Sequence, residues 1–156
     1  MPIDSVRLED LSWTDVAERL AAGWRTVIVM TASMEQHGPH LPTMTDTAIG
    51  YAVGDRVARL LGRTFLAPVI RPGCSDHHLA FPGSLSIPVP VFIDTVAACV
   101  RSLAPQGFSR FVLLSAHGGN FGRWPPPPSG CARSMPAPGR RSWRMPVRRR
   151  CTRRCG

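Results

Sequence analysis

The densest group of reactive side chains lies between residues 35 and 46. It consists of the segment EQHGPHLP, residues 35–42, followed closely by Asp46. Glu35 and His37 are two positions apart, so on an extended segment both side chains point the same way and can reach one centre. Carboxylate oxygens together with imidazole nitrogens are the ligands of Zn, Mn or Fe hydrolase sites. The segment therefore predicts a divalent-metal site.

Each of these residues also has an ordinary structural interpretation. Asp46 could simply cap the helix that follows it, because Asp is a favoured N-cap residue. A single loop histidine is more often packed or solvated than bound to a metal. The clustering of Glu, two His and Asp within twelve positions favours a site, and capping does not exclude ligation because a carboxylate has two oxygens.

Two further polar segments contain candidate site residues. The segment HGGN, residues 117–120, follows an apolar run, and its glycines allow a sharp turn and the close approach of a ligand. The segment GCSDHHLAFPGS, residues 73–84, contains two histidines. Taken alone, the first is an ordinary strand-ending turn and the second a structural loop.

The elements around these segments predict an α/β fold with a parallel sheet flanked by helices. Apolar strand-like runs occupy residues 26–30, 65–70 and 110–115. Helices are predicted from the N-cap Ser12 to before Gly23, over 46–61 and over 91–103. The apolar face of the second helix is predicted to consist of Ile49, Val53, Val57, Leu60 and Leu61. Since sites form at the carboxyl ends of parallel strands, the three polar segments should meet at one edge.

Together, in order and spacing, the three segments resemble the creatininase (creatinine amidohydrolase) family over about residues 8–122. The resemblance implies a creatininase-like α/β fold and metal-dependent hydrolysis of a C–N bond in a small cyclic amide, a formamide or a similar substrate. The family also includes a formamide hydrolase of flavin and deazaflavin biosynthesis and the peptidase of mycofactocin maturation, so the resemblance leaves the substrate open.

The resemblance also implies roles for individual residues. Ser75 and His78 are expected to line the substrate pocket, and His40 and Asn120 to support the metal ligands from outside. Two divalent ions, Zn, Mn or Fe, are expected to hold a water as hydroxide and polarise an amide carbonyl. Asp46 is expected to bridge these two ions. The expected ligands are Glu35, His37, Asp46 and His117.

The chain departs from the family after Gly122. Family domains are about twice as long, and their second half supplies a D-x-HAG-x2-ETS motif with a metal-binding Glu and a proton-transferring His. No His or Glu follows His117 here, so the catalytic acid and base are not assigned. The sequence predicts a truncated creatininase-like domain over residues 1–122, and a catalytically inactive family fragment is the alternative to an active enzyme.

Residues 123–156 are predicted to form a disordered Arg- and Pro-rich tail without hydrophobic periodicity. Residues 121–156 hold ten Arg and no acid, whereas residues 1–120 hold nine Arg against ten acids. We interpret the tail as a frameshift product of a GC-rich gene, which resequencing beyond the Gly122 codon would test. The alternative is a basic arm, residues 148–154, that binds nucleic acid or anionic membrane surfaces, and nucleic-acid binding is expected only as a non-specific effect of the tail.

Other features indicate the general class of protein. The acidic start of the chain does not resemble a secretory leader, and no apolar run approaches the ~20 residues of a membrane span. Five scattered cysteines do not suggest a disulfide framework. We therefore expect a cytoplasmic protein without membrane attachment that acts on a small-molecule amide. The family resemblance implies a homo-oligomer.

Overall fold

The computed structural model describes residues 4–123 and the strands at 132–134 and 141–144. These residues form an α/β fold around a single sheet with the strand order β2-β1-β3-β5-β4. The strands β1, β2 and β3 are mutually parallel, whereas β5 is antiparallel to β3 and to β4. The strands are β1 (Thr26–Thr31), β2 (Thr64–Leu66), β3 (Arg110–Ser115), β4 (Ala132–Ser134) and β5 (Arg141–Arg144); the helices are α1 (Trp13–Ala21), α2 (Thr45–Leu61) and α3 (Val89–Leu103).

The predicted parallel α/β sheet with flanking helices is confirmed, with two local differences. The second strand ends at Leu66, and the chain pairs with β1 again at a bridge between Ile70 and Thr31. The seven residues of β4 and β5 lie in the segment predicted to be disordered, yet their backbone pairs along the free edge of β3, where unpaired donors and acceptors are available. The rest of the predicted tail lies outside the described residues.

Alternating side chains of β1 build the core on both faces of the sheet, as the two-residue period of a strand requires. Val27 and Val29 pack in one cluster with α3 residues such as Phe92. Ile28 and Met30 pack in a second cluster, which includes Ala58 of α2. Burial on both faces explains why β1 is a continuous apolar run, and it fixes the strand's carboxyl end beneath the polar loops.

The helix α2 packs on the sheet with small residues, which corrects the predicted apolar face. Its core-facing residues include Gly50, Gly54 and Ala58. A Cβ on Gly54 would lie 2.7 Å from Leu66 Cδ1, and a Cβ on Gly50 would lie 3.2 Å from Met30 Cγ. The helix therefore approaches the strands too closely for large side chains. Four residues of the predicted face are exposed instead: Ile49, Val53, Leu60 and Leu61.

This close packing gives a stability prediction for two neighbouring positions. We expect Gly54→Val to lower the free energy of unfolding by about 1–3 kcal/mol, because the added atoms overpack the contact with Leu66. We expect Val53→Ala to stay within about 0.5 kcal/mol, because Val53 is half exposed. Urea denaturation of both variants measures the difference. A larger loss of unfolding free energy for Val53→Ala than for Gly54→Val would contradict this packing and support the apolar face predicted from the sequence.

Candidate metal centre

Backbone hydrogen bonds bring the polar loops together at the carboxyl edge of the sheet. Ala116, just after β3, donates its N–H to the Thr31 carbonyl at the end of β1 (2.8 Å). The loop after β2 is joined to the loop after β1, since Leu85 N–H donates to the Met34 carbonyl (2.8 Å). All three polar segments therefore lie at one edge.

Four side chains converge where these loops meet, and we call them the carboxylate–imidazole cluster: Glu35, His37, Asp46 and His117. His37 Nε2 lies 3.0 Å from Asp46 Oδ1, and His117 Nδ1 lies 2.9 Å from Asp46 Oδ2. His117 Nδ1 is also 3.4 Å from Glu35 Oε1. The ligand atoms of Glu35, His37 and Asp46 all lie within 4.8 Å of one another, a spacing that one cation could span.

Both histidines of the cluster have their outer nitrogen fixed by a backbone carbonyl. His37 Nδ1 faces the Glu35 carbonyl at 3.2 Å, and His117 Nε2 faces the Cys74 carbonyl at 3.0 Å. A carbonyl oxygen can only accept, so these nitrogens carry the protons. In the neutral rings the inner nitrogens then present lone pairs, which is the orientation that a metal-binding histidine requires.

Asp46 lies at the centre of the cluster, between the two imidazoles. It is not the N-cap residue of α2. The N-cap position is Met44, which has no capping side chain, and Asp46 lies in the first turn beyond it. One carboxylate oxygen faces His37, and the other accepts from Ser33 Oγ (2.7 Å) and faces His117. This corrects the interpretation of Asp46 as a helix cap. Its position near the positive end of α2 still stabilises its charge.

The chemistry of the cluster fits a cation. Glu35 and Asp46 are both buried, with side chains 7% and 8% exposed. Glu35 Oε2 has no hydrogen-bond partner in the described part of the chain. Two buried carboxylates facing two imidazole lone pairs repel one another unless protons or cations lie between them. A divalent ion satisfies these acceptors together.

The pKa of His37 predicts how metal affinity depends on pH. Burial lowers the pKa of this imidazole, but its hydrogen bond to the Glu35 carbonyl and the charge of Asp46 outweigh burial, so the pKa lies above 6.5. Below that pKa a proton occupies Nε2 and competes with the metal. We expect Zn²⁺ affinity to fall by about tenfold per pH unit as the pH drops through this pKa. Competition titrations with a chromophoric chelator measure it, and affinity that is flat from acid to neutral pH would contradict it.

The remaining predicted site residues surround the cluster in different ways. Asn120 is buried and joins three segments, accepting from Cys74 N–H and donating to the Ala32 carbonyl and the Thr31 hydroxyl. Ser75, expected to line the pocket, is instead buried with its hydroxyl 3.3 Å from His117 Nε2. His78 lies at the edge of the cluster, with Nε2 3.7 Å from Glu35 Oε1.

His40 does not join the cluster. It is exposed, and its ring lies beside Gly38 rather than against a ligand. The expected supporting hydrogen bonds come instead from residues that the sequence did not single out: the Ser33 hydroxyl and the Cys74 carbonyl. Ser33 lies two residues after the first strand, at the start of the polar segment, and this position is a signal that the sequence does contain. A backbone carbonyl leaves no signal in the sequence.

Comparison with known proteins identifies the family. The family described as creatinine amidohydrolase (Creatininase) matches residues 9–123. This chain belongs to the creatininase family, a family of hydrolases, as its three polar segments predicted. The mycofactocin precursor peptide peptidase of Mycobacterium ulcerans is 38% identical over 115 residues, covering 69% of this chain and 46% of that protein. The creatinine amidohydrolase of Pseudomonas putida is 31% identical over 118 residues, covering 72% and 45%.

Solved structures agree with this assignment. A mutant creatininase in a Zn-Zn form has a TM-score of 0.71 at 30% identity, covering 78% of this chain and 48% of that one. A creatininase with Mn has a TM-score of 0.71 at 30% identity, covering 77% and 48%. The chain thus spans about half the length of these relatives. In the part of the chain that the structure describes, no helix is long and apolar enough to cross a membrane.

Proposed function

We propose that this protein is a metal-dependent amidohydrolase that cleaves a C–N bond in a small cyclic amide, a formamide or a similar substrate. The carboxylate–imidazole cluster is the proposed metal site. The observation that carries the proposal is that the inner nitrogens of His37 and His117 face the two oxygens of the buried Asp46 carboxylate, with the Glu35 carboxylate beside them. The Zn-Zn and Mn forms of related creatininases support a divalent ion.

The residues of this chain would perform separate tasks. The four residues of the cluster would hold the metal, and Asp46, which faces both imidazoles, would bridge two ions if two are bound. A bound divalent ion supplies Lewis acidity and lowers the pKa of water. The Cys74 carbonyl and the Ser33 hydroxyl fix the orientation of His117 and Asp46.

Substrate would approach from the side of His37 and His78. The side chains of His37 and His78 are 22% and 24% exposed, whereas those of Glu35 and Asp46 are below a tenth. The buried carboxylates of Glu35 and Asp46 thus lie at the bottom of the site. The partly exposed imidazoles of His37 and His78 lie at its open edge. His78 therefore keeps its proposed role at the substrate, while Ser75 is better placed to support His117.

Activity assays test the proposal directly. The full chain, loaded in turn with Zn²⁺, Mn²⁺ or Fe²⁺, is assayed against creatinine, formamides and short peptides. We expect turnover of one of these classes that requires the metal and is lost in His37→Ala. Metal bound at the cluster without turnover of any of them would contradict the proposal.

Metal binding without turnover would support the alternative, a family member that binds metal but does not catalyse by itself. Homo-oligomerisation, a cytoplasmic location, the frameshift and non-specific nucleic-acid binding by the basic tail all stay predictions.

A further inference from the structure

Gln36, between two proposed metal ligands, uses both ends of its amide. Its Oε1 accepts from the Gly38 backbone N–H at 2.9 Å, and its Nε2 lies 3.1 Å from His78 Nδ1. A backbone N–H can only donate, so it fixes the amide oxygen towards Gly38 and the amide nitrogen towards His78. His78 Nδ1 must then accept, which places the proton of the neutral ring on Nε2.

That proton points towards the proposed metal centre. His78 Nε2 lies 3.7 Å from Glu35 Oε1, at the open edge of the cluster. The backbone holds both partners in place: Gln36 N–H donates to Ser84 Oγ (3.2 Å), and Phe81 N–H donates to the His78 carbonyl (3.0 Å). A neutral N–H donor is therefore held beside Glu35, at the partly exposed edge of the cluster.

A second cation site is the competing interpretation of the same residues. Glu35, His77 and His78 each offer a ligand atom within 4.8 Å of the others. With its Nδ1 occupied by the Gln36 amide and its Nε2 protonated, His78 has no free lone pair to offer a metal. The hydrogen bonds around Gln36 therefore favour a donor over a ligand.

We propose that Gln36 is a positioning residue that fixes His78 in the Nε2–H tautomer, and that this N–H donates to the carbonyl oxygen of the substrate. The second part of this proposal rests on the proposed amidohydrolase function. The first part concerns the protein alone and can be measured without substrate.

Long-range ¹H–¹⁵N NMR of the imidazoles in the full chain tests the tautomer. The chain has five histidines, and His78→Gln assigns the His78 signals. We expect Nε2–H in the wild type. In Gln36→Glu, an isosteric carboxylate that can only accept, we expect the proton of the neutral His78 ring to move from Nε2 to Nδ1. His77 provides the internal reference and should keep its pattern.

Three results would overturn the tautomer assignment: Nδ1–H at His78 in the wild type, no change in Gln36→Glu, or loss of the His78 Nε2–H signal on Zn²⁺ titration. The last result would instead indicate the second cation site.

Kinetics test the role in catalysis. We expect Gln36→Glu to lower kcat by about 10²–10³-fold, as removal of a donor to a developing oxyanion does, with bound metal unchanged. An unchanged kcat would overturn the donor role. A wild type without any turnover would refute the proposed function, and with it the donor role, while the NMR result would still decide the tautomer.

Discussion

We expect Asp46→Asn to abolish divalent-metal binding by the purified protein. Both carboxylate oxygens face imidazole nitrogens, at 3.0 and 2.9 Å, and the substitution replaces one oxygen with an NH₂ group and removes the charge. We expect a loss of affinity greater than the ~100-fold that removal of an outer partner of a ligand costs. Metal content after dialysis against trace Zn²⁺ measures this loss.

Thermal unfolding provides a second readout of the same substitution. Zn²⁺ at about 100 times its Kd should stabilise the wild type by about 2.7 kcal/mol, and this gain should vanish in Asp46→Asn. Asp94→Asn makes the same chemical change at an exposed position of α3 and should keep both the metal and the gain. If Asp46→Asn and Asp94→Asn retained equal amounts of zinc, Asp46 would not be a ligand of the proposed metal centre.

The sheet and the convergence of the polar loops could be predicted because they depend on local pattern. The apolar runs of β1 and β3 match the structural strands to within one residue. Parallel strands place their carboxyl ends at one edge, so the segments that begin at Glu35 and His117 had to meet. The type and spacing of residues carry this information directly.

The packing of α2 and the support of the cluster could not be predicted from pattern. Hydrophobicity predicts Ile49 and Val53 as core residues. Which residues of the helix face the core depends instead on the distance between helix and sheet, which has room only for small residues such as Gly54. The sequence favours His40 by its chemical type, whereas the groups that orient His117 and Asp46 are a backbone carbonyl and the Ser33 hydroxyl. These contacts depend on tertiary geometry.

Gly119→Ala tests that geometry at the most crowded point of the site. A Cβ on Gly119 would lie 2.2 Å from the Cys74 carbonyl oxygen and 2.4 Å from His117 Nε2, against the hydrogen bond that orients the imidazole. The ring or the Cys74 loop must shift, so His117 Nδ1 no longer faces Asp46. We expect Zn²⁺ affinity to fall by about 10–100-fold. We also expect the free energy of unfolding to fall by about 1–3 kcal/mol.

Gly118→Ala is the matched control, because the two glycines are neighbours in the same 3₁₀ turn and neither has a positive φ. A Cβ on Gly118 meets no atom within 4 Å, so this variant should bind Zn²⁺ like the wild type. Isothermal titration of both variants separates crowding from the general effect of adding a methyl group to the turn. Equal affinities would show that the Cys74 carbonyl does not control the orientation of His117, and ligation by that ring would then need another explanation.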